Sequence, residues 1–358
     1  MESLTLVIPC YNEEASLEKC VERCMALEDH GLKLELLIVD DCSTDSSAII
    51  AESLCKRFPQ VKLLRQPRNM GKGAALRAGF MHASGDYVGV QDADAEYDPL
   101  DYLEMLKPMQ AGLADVVYGS RYLRPDTRRV LYFWHTWMNR SLTFISNMFT
   151  NLDITDMETC YKLFTRSAIG KIAPLLKENR FGFEPEVTEL VSRMQMRVYE
   201  CAIRYQPRSY EEGKKIGWRD GIRALYCIFH YGAPYAPVPM QVLIYLFIGI
   251  ICAFANISIF GFLNSIGLGL LWAVIIAFVL AAALNYLLCL AILFRHKARW
   301  STGGELGAYI VTVIVMCLLD YFCTWGFIGL GISPVWAKAW STVIGFFGNF
   351  LMRKYYVF

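Results

Sequence analysis

Charged residues are scarce in the last third of this chain. By count, residues 241–358 carry six lysines or arginines and two acidic residues, whereas the whole 358-residue chain carries 35 lysines and arginines and 34 acidic residues. The chain is 55% hydrophobic with a positive mean hydropathy, which is too apolar for a single soluble domain. The shortage of charge therefore indicates a membrane domain after residue 240.

Three further absences narrow the class of protein. No Cys-x-x-Cys pair occurs among the 12 cysteines, so reduced thiols that fill gaps in the core are expected rather than disulfides. The first apolar stretch, residues 4–10, is too short and too close to the start to be a signal peptide. The net charge is +1 and there is no basic stripe, so no nucleic-acid partner is expected.

Four apolar runs are long enough to be transmembrane helices, since a helix needs about 20 residues to cross a bilayer. They lie at residues 241–263, 268–294, 306–331 and 334–351. Basic residues follow the second run, at 295–299, and the fourth, at Arg353 and Lys354. The positive-inside rule then predicts that both termini and the middle loop are cytoplasmic.

The apolar region also repeats itself. A shift of 64 residues aligns Asn285 with Asn349, which predicts two copies of a two-helix hairpin. Asp320 and Lys338 lie within the apolar runs, where an unpaired charge costs about 2.5 to 3.5 kcal/mol. We expect them to face protein, either as a structural pair between the third and fourth runs or in a lipid-headgroup or transport role.

Strands alternate with helices in the first half of the chain. The pattern predicts strands at 4–9, 34–40, 61–65, 86–91 and 115–118, and helices at 13–27, 43–58 and 72–83. This order is typical of an α/β fold with a mostly parallel sheet, in which ligands bind beyond the carboxyl ends of the strands.

Three carboxylates follow the fourth predicted strand at alternate positions: Asp92, Asp94 and Glu96. If the strand geometry continues, they lie on one side of the chain and can hold a hard divalent cation. The alternative is a solvated acidic turn, closed by Asp98 and Pro99.

Polar residues also follow the other strands. Glu13 and Asp41 are placed to accept hydrogen bonds from a base or ribose, and Tyr11 offers a ring that can pack against a base. Gly71-Lys72-Gly73 begins a helix, so its free backbone N–H groups and the lysine can face a phosphate. The same glycines lack the third glycine of a dinucleotide fingerprint and the Gly-Lys-Ser/Thr of a P-loop.

Five motifs, in this order and spacing, resemble glycosyltransferase family 2 with the GT-A fold. They are Ile8-Pro-Cys-Tyr-Asn-Glu-Glu14, Val39-Asp-Asp-Cys-Ser-Thr-Asp45, Asn69-x-Gly-Lys-Gly73, Asp92-Ala-Asp94 and Gly119-Ser-Arg121. More narrowly, they resemble polyprenyl-phosphate glycosyltransferases of the dolichyl-phosphate mannose or glucose synthase type. The apolar half, with its final motif at residues 349–358, resembles the GtrA-like domain.

The resemblance implies a donor site and a metal site. Asp92 and Asp94 would hold Mg²⁺ or Mn²⁺ against the donor diphosphate, with Glu96 beside them. The residues implied around the nucleotide-sugar are Pro9, Tyr11, Glu13, Val39, Asp41, Gly71, Lys72 and Ala93.

The acceptor site is implied less completely. Arg121 would bind the acceptor phosphate, and His135 and Asn139 stand 14 and 18 residues further on, where mannose-synthase relatives have Arg and Ser. Arg208, Lys214 and Lys215 are expected to close over phosphates as a mobile loop, the alternative being surface charges.

Carboxylates further along the chain are candidates for the sugar site. Asp156, Glu158, Glu184 and Glu186 could orient sugar hydroxyls, or act as a base if the acceptor were a hydroxyl. A phosphate monoester needs no base, because its second pKa is about 6. The alternative for Glu184 and Glu186 is a helix start in which acidic residues favour the dipole.

The resemblance implies metal-dependent, inverting transfer of glucose or mannose from a UDP- or GDP-sugar to a membrane polyprenyl phosphate at the cytosolic face. The expected organisation is a GT-A domain at 1–215, an interfacial amphipathic helix and linker at 216–240, and a GtrA-like domain with four transmembrane helices at 241–358. The alternatives are a lipid-linked sugar flippase with a regulatory soluble domain and a processive polysaccharide synthase. Processive synthases usually carry Gln-x-x-Arg-Trp in the soluble domain, whereas the only Arg-Trp pair in this sequence is Arg299-Trp300, in the basic membrane loop, with His296 in place of the Gln.

Overall fold

A computed structural model of the chain describes residues 2–94, 96–123, 130–207, 218–294 and 302–357. The chain divides into two compact units, residues 1–235 and 236–358. The predicted phosphate-binding residues Arg208, Lys214 and Lys215 lie outside the described residues, as does the basic loop at 295–300.

The first unit is built on a seven-stranded sheet with the spatial order β3-β2-β1-β4-β6-β5-β7. The strands are β1 (Ser3–Cys10), β2 (Lys33–Asp40), β3 (Val61–Arg65), β4 (Tyr87–Val90), β5 (Val116–Ser120), β6 (Lys162–Thr165) and β7 (Val198–Ala202). Strand β6 is antiparallel to β4 and β5, and every other pair is parallel. The predicted mostly parallel α/β sheet is confirmed, although β6 and β7 were not predicted.

Helices cover the sheet. They are α1 (Leu17–Met25), α2 (Ser47–Arg57), α3 (Lys72–His82), α4 (Tyr102–Gln110), α5 (Phe133–Thr150), α6 (Arg166–Ile172), α7 (Phe183–Arg193) and α8 (Trp218–Gly232). The central strands read as nearly continuous apolar runs because both faces of such a sheet are buried. Leu6 of β1 and Ile38 of β2, for example, are completely buried.

The sheet topology places the functional segments together. Strand β1 pairs with β2 on one side and with β4 on the other. Strands β2 and β3 are therefore added on one side of β1, and the later strands on the other side. Only β6 runs against the rest, so the carboxyl ends of the other strands share one edge with the amino end of β6. The segments after β1, β2, β4 and β5 therefore meet the segment before β6, as expected at a switch point.

The second unit contains four long helices: α9 (Val238–Ser265), α10 (Leu270–Leu288), α11 (Thr302–Gly329) and α12 (Pro334–Met352). Helix α9 packs against α10, and α11 against α12. Within the described part of the chain, one helix, α9, is long and apolar enough to cross a membrane by length and composition. The count of four spans and their orientation stay predictions.

The two asparagines that the repeat aligns contact the same side chain. Arg353, which directly follows α12 and is 4% exposed, donates from Nε to Asn349 Oδ1 at 3.0 Å and from Nη1 to Asn285 Oδ1. Its Nη2 donates to the hydroxyl of Tyr309 at 3.2 Å. Neutral acceptors from α10, α11 and α12 thus satisfy a buried guanidinium. The side chains of Asp320 and Lys338 lie outside the described residues.

Candidate active site

A cavity of about 450 Å³ opens at the shared edge of the sheet, a size typical of ligand pockets, which span about 300 to 1,000 Å³. Most of the site residues predicted from the sequence line it. They are Pro9, Tyr11, Glu13, Asp41, Gly71, Lys72, Asp92, Ala93, Asp94, Glu96, Arg121, His135, Asn139 and Glu158. The cavity thus contains residues expected at the donor, metal, acceptor and sugar sites.

Val39 does not line this cavity. Its side chain is completely buried in β2 and lies on the sheet face covered by α3, because a Cβ at Gly79 would come within 3.2 Å of Val39 Cγ2. Strand β2 ends at Asp40, so Val39 belongs to the buried strand, whereas Asp41 lies beyond its end. A side-chain contact of Val39 with the nucleotide is therefore not supported.

Asp41 holds the turn before α3. Its Oδ1 accepts from the backbone N–H of Met70 at 2.8 Å, and its Oδ2 accepts from that of Gly71 at 2.7 Å. Gly71 has a φ of +97°, a conformation that favours glycine. The prediction of a free amide at Gly71 was therefore wrong, because a buried carboxylate already occupies it. Asp41 shapes the cavity wall through this turn.

Lys72 is paired with two carboxylates. Its Nζ lies 2.9 Å from Asp92 Oδ1 and 3.4 Å from Glu184 Oε1. Burial opposes its charge, but Asp92 and Glu184 outweigh that cost and hold the pKa of Lys72 well above its usual value. A permanent positive charge therefore lies beside the first aspartate of the acidic segment.

The acidic segment is ordered by its own contacts. Asp94 Oδ1 accepts from the backbone N–H of Glu96 at 3.2 Å, and Glu96 Oε2 accepts from the hydroxyl of Tyr205 at 2.8 Å.

Over residues 2–94, 96–123, 130–207, 218–294 and 302–357, no group of three or more His, Cys, Asp or Glu residues is arranged to hold a metal alone. Asp92 and Asp94 nonetheless fit a hard cation as oxygen donors on one cavity, provided that a diphosphate and water supply the remaining ligands.

Arg121 is held by Asp156 in a bidentate pair. Its Nε donates to Asp156 Oδ2 and its Nη2 to Oδ1, each at 2.7 Å, and its backbone N–H donates to Oδ2 at 3.0 Å. Burial opposes the charge of the arginine, but Asp156 keeps the pKa of Arg121 well above its usual value. Asp156 is completely buried and does not line the cavity. Its predicted role in the sugar site is not supported, because its carboxylate orients Arg121 instead.

Helix α5 contributes to two surfaces. His135 and Asn139 are one turn apart on the face that lines the cavity. Phe133, Trp137 and Phe144 line a second, apolar cavity together with Arg140, and each of these three aromatic side chains is exposed.

Glu158 is the one predicted sugar-site carboxylate that reaches the cavity. Burial, followed by repulsion from Glu184, raises the pKa of Glu158 to about 8. Its Oε1 is buried and has no hydrogen-bond partner among the described residues. The nearby Lys162 donates from Nζ to the carbonyls of Met157, at 2.9 Å, and Thr159, at 2.5 Å. At neutral pH Glu158 is therefore mainly a neutral acid beside the cavity.

Glu186 lies away from the cavity, and its predicted role in the sugar site is not supported. Its carboxylate accepts from the backbone N–H groups of Lys177 at 2.8 Å and Glu178 at 2.9 Å. This arrangement is typical of an acidic residue in the first turn of a helix that binds the segment leading into it. Glu186 thus fixes the loop before α7.

Several residues of the cavity were not predicted from the sequence, notably Tyr205, Arg180 and Phe181. Tyr205 follows β7, so the same reasoning from strand ends would have found it if that strand had been recognised. Arg180 and Phe181 belong to the loop before α7, and no sequence pattern marked them.

Two family models match this chain. Residues 5–173 match glycosyl transferase family 2, and residues 244–358 match the GtrA/DPMS transmembrane domain.

Curated relatives are similar over the first unit. The chain is 30% identical over 216 residues to a dolichyl-phosphate beta-glucosyltransferase of Trichomonas vaginalis, covering 56% of this chain and 65% of that protein. It is 28% identical over 216 residues to the Drosophila melanogaster enzyme of the same name and 30% identical over 227 residues to that of Saccharomyces cerevisiae, covering 56% of this chain and 66% of each relative. The chain thus spans slightly less than two thirds of the length of these relatives.

Solved structures share the fold. The chain resembles glucosyl-3-phosphoglycerate synthase from Mycobacterium tuberculosis in complex with Mn²⁺, UDP and phosphoglyceric acid, with a TM-score of 0.51 and 17% identity over 66% of this chain and 80% of that one. A complex of the same protein with Mn²⁺ and UDP-glucose gives a TM-score of 0.50 and 17% identity over 64% and 79%. The sheet of the first unit is therefore of the GT-A type.

Proposed function

We propose that this chain, which joins a glycosyl transferase family 2 domain to a GtrA/DPMS transmembrane domain, transfers glucose from UDP-glucose to a polyprenyl phosphate. The observation that carries the proposal is that Lys72, Asp92, Asp94 and Arg121 meet in one cavity. Glucose and a dolichyl-type acceptor are suggested by the names of the relatives. UDP is suggested by the donor bound to a protein of the same fold.

The donor would bind where β1, β2 and β4 end. The ring of Tyr11 is 39% exposed at the cavity wall, where it can pack against a base, and Glu13 lies next to it. The diphosphate would lie beside Lys72, whose ammonium supplies a fixed positive charge. Asp92 and Asp94 would hold Mg²⁺ or Mn²⁺, which neutralises the charge that develops on the departing nucleoside diphosphate.

The acceptor phosphate would bind at Arg121. A guanidinium has five N–H donors, and the contacts with Asp156 use Nε and Nη2, so the fixed group can offer others to a phosphate oxygen. Because a phosphate monoester is mostly dianionic at pH 7, with a second pKa of about 6, it can attack the sugar without a general base. Attack from the side opposite the diphosphate gives the beta linkage that the names of the relatives describe.

The lipid would approach along α5 and α8. Trp134 at the start of α5 is 72% exposed, and α8 exposes Ile222, Tyr226 and Phe229 at helical spacing. Aromatic rings of this kind favour the interface between a membrane and water. A polyprenyl chain in the bilayer would then present its phosphate near His135 and Asn139, with the first unit on the cytoplasmic side.

The full chain, purified in detergent, tests the proposal. UDP-glucose and GDP-mannose, each labelled in the sugar, are supplied with a short polyprenyl phosphate and Mn²⁺ or Mg²⁺. We expect one monoglucosylated lipid from UDP-glucose, sensitive to beta-glucosidase after release and lost with EDTA. A polymer, a product made equally well without divalent metal, or no transfer from any donor overturns the proposal.

Asp94→Asn should abolish transfer in the same assay. The matched control is Asp115→Asn, because Asp115 also forms close polar contacts, with Arg197 at 2.8 Å, but lies at the amino end of β5, on the opposite edge of the sheet. Equal activity of the two variants would contradict the role given to Asp94.

A further inference from the structure

Residues 178–182, here called the 178–182 loop, lie between the cavity and α8. Arg180 and Phe181 line the cavity. The backbone of the loop packs against the turn that begins α3, where the carbonyl of Asn179 accepts from the N–H of Ala74 at 3.1 Å. The loop is therefore part of the wall that faces the proposed donor diphosphate.

The two glycines of the turn permit this contact. A Cβ at Gly73 would come within 2.5 Å of the backbone oxygen of Glu178, and a Cβ at Gly71 would collide with the carbonyl of Asn179. Because the atoms that would be struck belong to the backbone, they cannot move aside as a flexible side chain can. The position of the loop and the position of Gly71-Lys72-Gly73 are therefore not independent.

The other side of the loop is bound to α8. Glu178, which is 6% exposed, accepts from Arg223 Nη2 at 2.8 and 2.9 Å and from the hydroxyl of Tyr231 at 2.9 Å. At the other end of the loop, a Cβ at Gly182 would come within 2.5 Å of Cys227 Sγ. The buried charge of Glu178 thus depends on donors supplied by α8.

Helix α8 therefore both contacts the 178–182 loop and exposes apolar side chains. Arg223, whose side chain is half exposed, and Tyr231 bind Glu178 of the 178–182 loop, and the same helix exposes Ile222, Tyr226 and Phe229. Arg77 of α3 also holds the loop, by donating to Leu176 O at 3.1 Å and to Asn179 Oδ1 at 3.0 Å. Hydrogen bonds therefore join the loop to α8 on one side and to α3 on the other.

We propose that Glu178 is a positioning residue that couples the seating of α8 to the shape of the donor cavity. The inference rests on the proposed function, because it takes the cavity to be the donor site and α8 to contact the lipid surface. Its consequence is that donor affinity depends on α8. By the reciprocity of linked equilibria, a bound nucleotide must in turn stabilise α8.

Steady-state kinetics of the full chain in detergent provide the first test. Glu178→Gln should raise the KM for the nucleotide-sugar about tenfold, while kcat and the KM for the polyprenyl phosphate stay within about twofold. Arg223→Gln should act in the same way, Arg223→Lys should restore part of the affinity, and the double variant should be no worse than either single one. Asp115→Asn should leave all three constants unchanged.

Hydrogen exchange provides a readout that a merely structural role would not change. Adding Mn²⁺ with UDP, or with GDP if UDP does not bind, should slow exchange of the amides of residues 219–232 in the wild-type chain. In Glu178→Gln, saturating nucleotide should still protect the turn at residues 69–73 but no longer α8. Arg223→Gln repeats the measurement if Glu178→Gln fails to fold.

The outcomes separate the two proposals. If neither nucleotide binds the wild-type chain, the proposed function fails. If nucleotide binds and transfer occurs, but α8 gains no protection and the KM for the donor is unchanged in the variants, the coupling is refuted while the proposed function stands. A uniform loss of kcat without a change in the KM for the donor also refutes it.

Discussion

Replacing Glu158 by Gln should change the pH dependence of transfer without abolishing it. With a pKa of about 8, caused by burial and then by repulsion from Glu184, the Glu158 carboxyl is mostly protonated at neutral pH. The other charged groups near it are Lys162 of β6, Arg121 after β5 and Asp156 of its own segment. The two cations favour ionisation, but they do not outweigh burial. A neutral acid can donate a hydrogen bond to a sugar hydroxyl, and an amide has the same shape and can donate as well.

The magnitude follows from the pKa. Glu158 would be ionised to about one tenth at pH 7 and about nine tenths at pH 9, since each pH unit changes the ratio tenfold. If the protonated form is the competent one, the rate of the wild-type chain at fixed donor concentration should fall about tenfold between pH 7 and pH 9. Glu158→Gln should remove this fall and keep the rate nearly constant over the same range. The rise below pH 7, set by the acceptor phosphate with its second pKa of about 6, should remain in both chains.

The free energy of unfolding should also fall as pH rises, as the rate of transfer does. The folded-state pKa of Glu158 lies above its ordinary value of 4.5, so the folded chain binds more protons than the unfolded chain between these two values. The contribution to stability is fully present below pH 4.5 and is lost as pH rises through about 8. The loss is on the order of a few kcal/mol, and it should be absent from Glu158→Gln.

Glu189 supplies a matched control. Burial also raises its pKa to about 8, with Arg193 opposing the shift, but Glu189 does not line the cavity. Glu189→Gln should therefore change the pH dependence of thermal unfolding and leave the pH profile of transfer as in the wild type. If Glu158→Gln keeps the wild-type fall in rate above pH 8, Glu158 is not the titrating group and the assignment is refuted.

Three further variants test the site. Asp156→Asn should destabilise the chain by about 3 to 5 kcal/mol, because it leaves the buried charge of Arg121 without its partner, and a thermal or urea unfolding midpoint equal to that of the wild type would contradict the pairing. Gly73→Ala should weaken nucleotide binding measured by calorimetry, since its Cβ meets the backbone oxygen of Glu178 at 2.5 Å, whereas Gly170→Ala, which meets nothing within 4 Å, should bind normally. Lys72→Met should lower the affinity for a nucleoside diphosphate more than for the free nucleoside, and an equal loss for both would place the ammonium away from the phosphates.

The sequence predicted the parts of the fold that depend on local pattern. Strands β1 to β5 each contain an apolar run, and their ends carry the polar motifs. Strand β6, Lys-Leu-Phe-Thr, has only two apolar residues, and β7, Val-Tyr-Glu-Cys-Ala, is partly exposed along its length, so neither has a strong apolar period. The antiparallel insertion of β6 brings the segment at residues 156–161 to the site, and no local signal specifies that pairing.

The sequence also did not predict which side chains pair with one another. Arg121 and Asp156 were assigned to two different ligands, although they bind each other across 35 residues of sequence. Asp41 was assigned to a base or ribose, although its two oxygens hold the amides of Met70 and Gly71. Spacing identifies which strand end a residue follows. It does not identify which charges neutralise one another once they are buried, because that depends on distances of a few ångströms between segments.

The charges of the cavity bear directly on the need for metal. Lys72 is already paired with Asp92, and Arg121 with Asp156, so neither brings an uncompensated positive charge to an anionic donor. Glu13, Asp41, Asp94 and Glu96 add negative charge to the same wall, and Arg180 adds one positive charge. A diphosphate entering alone would meet net repulsion in a partly buried space, where electrostatic terms are larger than in water. Donor binding, and not only the chemical step, should therefore require a divalent cation.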